Sequence, residues 1–451
     1  MPAAPPSTAD ALGNPVHVRD AASLALVDDF VMGFLSCEAR AARLVLEPSG
    51  DDSPLVQAYA ATLHMFAESR EAAANARPFI ERAQAGARHA TPREQRYIAA
   101  VAAWVAGDLA RAITLHEEQA REFPRDLVSV KLGQYHCFNL GDCPGMLRLA
   151  LAARPHAADV PYLHGMLAFG YEQCHLMREA EASALHAIAM CRKEPWAHHA
   201  LAHVMLTEGR LSEGLAFMEE MSATWTGLNS FMVTHNWWHL ALFLIDLGRG
   251  GEALAVHDAH CWGVEPDYSQ DQIGAVSLLA RLEMAGVDVG DRWQAVAERM
   301  AGRTRDHVLP FLDLQYLYGL ARAGRPEADA LLANIEAHAP RAPEAGRAAW
   351  QRVCVPAAHG LVAHARGDMA GAAEGLGQAL PRMVEIGGSH AQRDLFGQIW
   401  LDALMRQRTP AALRTAQDVL QQQCNGQPES RRLARQVAGV YAALGLPSVV
   451  S

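Results

Sequence analysis

The sequence predicts an all-α fold, a right-handed α-solenoid in which short helices pair and the pairs stack. Three observations carry this reading. Glycine-marked turns recur between segments of helical apolar period, at Gly107-Asp108, Gly141-Asp142, Gly209-Arg210, Gly248-Arg249 and Gly367-Asp368. Small residues recur at matched offsets: Gly214 and Ala253 each stand five residues beyond their glycine, and Ala202 aligns with Ala241 ahead of it. Half of the residues are hydrophobic and only 7% aromatic, a composition suited to closely packed helices. A repeat array grows as one continuous core. The 451 residues are therefore expected to form a single helical-repeat domain over 20–446 after a flexible lead at 1–19, instead of the roughly three domains that length alone suggests.

Taken in order, residues 20–48 read as one apolar-periodic helix stopped by Pro48-Ser49-Gly50, and a helix pair follows from Pro54 to about His89. Thr91-Pro92-Arg93-Glu94 is a helix start with proline at the first position. It opens a clear repeat over 93–124, with Gly107-Asp108 as its turn and Pro124 as its stop, which 126–155 repeats more loosely. Further repeats read over 161–193, where Ala180 is the small residue of the second helix, and over 195–225 and 231–263. The period continues through 269–301 and 308–339, then 352–383, then a last pair that opens GGSHAQRDLF, and 429–446 caps the final apolar face. This is the tetratricopeptide pattern, in which a large residue, Leu and a small residue of the first helix meet a small and a bulky residue of the second. Such arrays curve, so the last units are expected to swing back opposite the middle ones and close a groove into a pocket.

Composition excludes several classes. The net charge is -11 with no basic run, which argues against nucleic acid as a partner, since phosphate binding needs a basic stripe. No stretch of eighteen apolar residues marks a membrane span, and MPAAPPSTADALGNP has neither the basic start nor the apolar centre of a secretory signal. The eight cysteines form no CxxC pair, which fits a reduced, cytoplasmic setting.

Two histidine pairs at i, i+4 stand out: His199 with His203, and His235 with His239. In the repeat register both pairs fall on first helices, which line the concave face, and neighbouring helix axes run roughly 8–10 Å apart. On a helix an i, i+4 pair puts two imidazoles about 5–6 Å apart at Cβ, so the four are expected to share one cavity. A Zn or Fe ion takes ligands in this way, four from the protein or three with an open position. The same cluster equally suits a polar pocket for a small organic molecule or a peptide segment. It also suits plain interhelical packing, with imidazoles bonded to Asn236 or to Glu172, which falls on the same inner stripe one repeat earlier. Trp237 is placed in the packing position and Trp238 toward the groove, where it can stack on a ligand.

GGSHAQRDLF joins Gly387-Gly388, the cap residue Ser389, and a helix start carrying His390, Arg393 and Asp394. Asp394 lies i, i+4 from His390, so its carboxylate can orient the imidazole for acid-base catalysis, and the helix N-terminus favours an anion. A capped surface ion pair explains the same residues. The chain has no HExxH, no GxSxG and no phosphate loop.

HHALAHVMLTEGRLSEGLAFME, HNWWHLALFLIDLGRGGEALAVHDAH, SLLARLEMAG, FLDLQYLYGLARAG and GGSHAQRDLF together resemble the tetratricopeptide repeat protein thirty-eight family over residues 90–405. The resemblance implies that His199, His203, His235, Asn236, Trp238, His239, Asp313, His390, Arg393 and Asp394 match its pattern. Gln315 stands where that pattern often has His, and Ala280 where it often has Trp. The functional expectation is a helical-repeat binding protein whose His-lined pocket captures a small polar molecule, a metal ion or a peptide segment. The alternatives are a metal-dependent or acid-base enzyme using the same cluster, and a protein-protein scaffold.

Overall fold

The computed structural model describes residues 8–46 and 50–446. Their regular structure is helical, and extended pairing is limited to two isolated bridges, Ala9 with Pro15 and Glu38 with Leu228. Consecutive helices pair through short turns in the tetratricopeptide manner, for instance Pro92–Val105 with Leu109–Glu122, Pro161–Gln173 with Met177–Met190, and Val355–Ala365 with Met369–Ala379. The single domain expected over 20–446 is resolved into two compact units. The first runs to Phe138 and takes in Asp142–Leu201 and Thr224–Met232; the second comprises Asn139–Gly141, Ala202–Ala223 and the chain from Val233.

The turn chemistry explains why the glycines recur. Gly107, Gly141 and Gly367 take φ of 81°, 71° and 86°, a left-handed conformation that side chains with a Cβ disfavour. The aspartate that follows each one caps the next helix, accepting from Arg111 N (3.0 Å), Gly145 N (2.9 Å) and Gly371 N (3.0 Å), which satisfies an orphan donor of the first turn. At Gly209 and Gly248 an arginine follows instead, and it pairs with a glutamate three residues on, Arg210 with Glu213 and Arg249 with Glu252.

The small residue five positions later also has a structural reason. A Cβ on Gly214 would meet the Phe243 ring at 2.3 Å, so the Leu211–Ser222 helix approaches Ser230–Asp246 more closely than alanine allows. Gly214→Ala is expected to lower stability by roughly 1–3 kcal/mol through overpacking, against a helix-propensity gain of about 1 kcal/mol. Denaturant unfolding checks this: the midpoint should fall at constant m, and a raised midpoint would show that the ring can give way.

In the first unit the stretch expected as a flexible lead is packed from residue 8; residues 1–7 lie outside the described chain. Asp10 accepts from Leu12 N and Asn14 N, Arg125 donates to Leu12 O (2.9 Å), and His17 N donates to Glu94 (2.9 Å). Thr91 and Glu94 close the expected helix start with a reciprocal capping box. The helix predicted over 20–48 is broken. It runs Ala21–Leu35, stops at Cys37 (φ 57°), and resumes as short turns at Ala39–Ala42 and Arg43–Leu46. Lys131 Nζ, donating to Phe34 O (2.9 Å) and Leu35 O (3.1 Å), receives the carbonyls left free where the helix ends. The proposed stop at Pro48-Ser49 lies outside the described residues.

In the second unit the C-terminal elements return to the middle of the chain. Gln427 donates to Leu206 O (3.0 Å), Ser212 N and Oγ donate to Glu429 (2.9 and 2.8 Å), and both Ser430 and Arg432 donate to Asp246 (2.9 and 2.6 Å). Gly209 is fitted to the same contact, since a Cβ there would lie 2.4 Å from Gly426 O. The last described helix, Arg431–Ala443, packs Leu433 and Val440 with Leu413, Ala416 and Leu420. No described helix is long and apolar enough to cross a membrane.

Candidate metal centre and adjoining cavity

Helix Ser230–Asp246 carries His235 and His239 one turn apart, and His203 faces them from helix Pro195–Thr207. The His239 ring lies 4.5 Å from that of His203 and 4.8 Å from that of His235, perpendicular to the latter, and Trp238 stacks on His235 at 5.1 Å. His199 sits one turn before His203 on the same helix. Each of the four histidines offers a ring nitrogen, and those nitrogens lie within 4.8 Å of one another. None of the four side chains is more than 7% exposed.

Burial sets the charge state. Loss of hydration, aided by the charge of His203, pulls the His235 imidazole down to about 3, so at neutral pH it is a neutral ring with a lone pair, as metal ligation requires. His198, next to His199, shows the contrasting structural type. Its Nδ1 accepts from Trp225 Nε1 (3.1 Å) and its Nε2 donates to Arg192 O (2.9 Å), so it is a packed histidine with both nitrogens engaged.

On one side of the cluster His203 lines a cavity of about 350 Å³ in the second unit. Leu206, Leu242 and Ile245 give it an apolar wall, and Asp246, Arg281, His390, Asp394, Gln398, Gln423 and Arg432 give it polar groups. A concave site of this size with a few convergent polar groups is ordinary for a small ligand.

The other expected site residues fall in several places. His390 and Asp394 line this cavity with His203, but the expected His390–Asp394 hydrogen bond is replaced. Asp394 accepts from Gln398 (2.5 Å) and lies 3.8 Å from Arg281, while His390 Nδ1 lies 3.4 Å from Arg393. Arg393 itself braces the glycine turn by donating to Gly387 O and Gly388 O, and Ser389 caps the helix as expected. Glu172, in the first unit, is fully buried and accepts from Gln173 (2.5 Å); it is not one of the four metal-type ligands. Asn236 is buried beside His235. Asp313 stands apart, bonded to His307 Nδ1 at 2.6 Å, and burial raises its carboxyl to about 6. Gln315, on the same helix, is buried.

The tryptophan assignment is reversed. Trp238 is the buried ring, packed on His235 and His239 with the Arg281 guanidinium 5.4 Å from its centroid. Trp237 is only partly buried and stacks on His260 at 3.9 Å. The sequence reading missed Arg281, Asp246, Arg432 and the glutamines. Arg281 lies inside SLLARLEMAG, a segment already singled out, but its neighbours are remote in sequence.

No family model matches the chain. Among solved structures it is similar to the human IFIT1 dimer with PPP-AAAA, at 12% identity and a TM-score of 0.44, covering 93% of this chain and 92% of that one. It is also similar to Naa15/Naa10 bound to HypK-THB, at 12% identity and a TM-score of 0.26, covering 92% of this chain and 65% of that one.

Proposed function

We propose that this is a metal-binding helical-repeat protein in which His203, His235 and His239, with His199 as fourth ligand, hold one Zn or Fe ion beside a cavity for a small polar molecule. The observation that carries the reading is four buried imidazole nitrogens within 4.8 Å of one another. Tetrahedral Zn–N bonds of about 2.1 Å place ligand nitrogens roughly 3.4 Å apart, so small rotations about the imidazole side-chain torsions close the set. With three of the imidazoles as ligands the ion would keep an open position and would supply Lewis-acid chemistry there, whereas with all four the site would be closed and structural. His203, shared by cluster and cavity, places that chemistry at the cavity wall.

A metal-free pocket for a small molecule or peptide segment is the second reading, supported by the polar lining opposite His203. Membership of the tetratricopeptide repeat protein thirty-eight family, a cytoplasmic setting and the lack of a nucleic-acid partner belong to the same proposal. They are supported by the quoted motifs, by eight cysteines that form no disulfide among the described residues and by a net charge of -11.

Elemental analysis of protein purified without chelator or affinity metal tests the main reading. Close to one equivalent of Zn or Fe is expected; less than about a tenth of an equivalent, with none taken up on titration, would remove it.

A further inference from the structure

The cavity wall holds a buried cation that the histidine cluster does not use. Arg281, on helix Ser269–Met284, is 2% exposed. Its Nη1 donates to Ser277 Oγ and Ser277 O, its Nη2 donates to Ala391 O (2.7 Å), and its guanidinium lies 5.4 Å from the centre of the Trp238 ring. Its carboxylate neighbour, Asp394, is 3.8 Å away with its side chain 47% exposed. The second acidic group of the lining, Asp246, is engaged by Arg432 and Ser430. Nε of Arg281 is buried and has no hydrogen-bond partner among the described residues.

A buried guanidinium with a long ion pair and an unused N–H is costly unless something completes it. Burial moves Arg281 down only to about 10, so it remains a cation at neutral pH. Its fork matches a carboxylate oxygen. The lining carries two guanidiniums, Arg281 and Arg432, and two carboxylates, Asp246 and Asp394. With these charges balanced, a monoanion is accommodated better than a doubly charged phosphate. Gln423 lines the cavity, and its Oε1 is buried with no hydrogen-bond partner among the described residues.

We propose that this cavity is a binding site for a small monocarboxylate, its carboxylate received by Arg281 and its polar tail by Gln398, Gln422 and Gln423. A space of about 350 Å³ holds roughly ten water-sized groups, which sets the ligand at metabolite size. The site shares His203 with the metal centre and stands whether or not a metal ion is bound.

Calorimetric titration of N-acetylglycine, N-acetylglycinamide and inorganic phosphate into the full chain, metal-loaded and chelator-treated, tests the assignment. The acid should saturate in both forms, with the amide and phosphate about tenfold weaker or more. Asp394→Asn, at a half-exposed position, removes a rival charge and should tighten the acid by about threefold to tenfold, with circular dichroism reporting that the fold survives. Arg281→Gln should abolish binding, with circular dichroism reporting whether the fold survives. No saturation by the acid, equal binding of acid and amide, or an unchanged affinity in Asp394→Asn would overturn the arginine site. Saturation only in the metal-loaded form would assign the carboxylate to the ion, overturning this site while leaving the metal reading intact. Acid binding by a protein that takes up no metal would sink the metal reading and keep this one.

Discussion

Chelator-treated protein titrated with Zn should gain roughly 10 °C in melting temperature once the free ion exceeds its dissociation constant about a thousandfold. A ligand that binds only the folded state stabilises by RT ln(1 + [L]/Kd), about 4 kcal/mol at that excess. For a unit of this size each kcal/mol corresponds to about 2–4 °C. The effect depends on the four nitrogens being assembled already, within 4.8 Å of one another, and on their being neutral. His235 meets the second condition over the whole working range because burial holds it near 3, so its proton does not compete with the ion above about pH 4. Replacing His239 separates ligation from packing. His239 is fully buried between His203, His235 and Trp238. His239→Ala therefore opens a cavity and should lower the melting temperature of the metal-free protein, on either reading. Only if the ring is a ligand does the variant also lose the rise on adding Zn. A wild-type melting temperature that ignores Zn would leave the cluster as packing alone.

What the sequence made legible was local. The glycine-aspartate turns follow from one left-handed residue and one cap, the histidine pairs from a spacing of four on a helix, and the Thr91 helix start from four consecutive residues. Each needs only a short stretch of chain. The misreadings share the opposite property. The first helix ends at Leu35 because Lys131, 96 residues away, receives its last carbonyls. Asp394 turns from His390 toward Gln398 and Arg281, the latter from another helix. Trp237 and Trp238 face about 100° apart on their helix, and which of them is buried is decided by His260 on one side and Arg281 on the other. The cavity depends on contacts such as Ser430 with Asp246, separated by 184 residues. The idea that late units return opposite middle ones was available from solenoid curvature, but curvature gives no residue numbers. Arg281 therefore stayed invisible as a site residue although its segment had been singled out.

The second large effect is expected in the first unit, at Glu194. This residue is fully buried at the start of helix Pro195–Thr207, where its carboxylate accepts from Ala197 N, and Gly165 makes room for it, since a Cβ there would lie 2.7 Å from Oε2. Burial drives its carboxyl up to about 8, against partial opposition from the Ala197 hydrogen bond and Lys131. In the unfolded chain the group ionises near 4.5. Between these values the folded state holds a proton that the unfolded state has lost, so stability falls as pH rises, by about 1.4 kcal/mol per pH unit for this one group. Below about 4.5 both states are protonated, above about 8 both are ionised, and the slope vanishes. Glu194→Gln keeps the shape and cannot ionise. Its extra amide hydrogens add an offset of their own, but that offset does not vary with pH. The stability of the variant relative to wild type should thus climb by roughly 3–5 kcal/mol from pH 4.5 to 8. The buried His198, lowered to about 4, contributes with the opposite sign and is common to both proteins, so it cancels in the comparison. Urea unfolding of the two proteins at matched pH values measures the difference directly. Parallel profiles would mean that Glu194 is ionised in the folded state and that Lys131 compensates its charge in full.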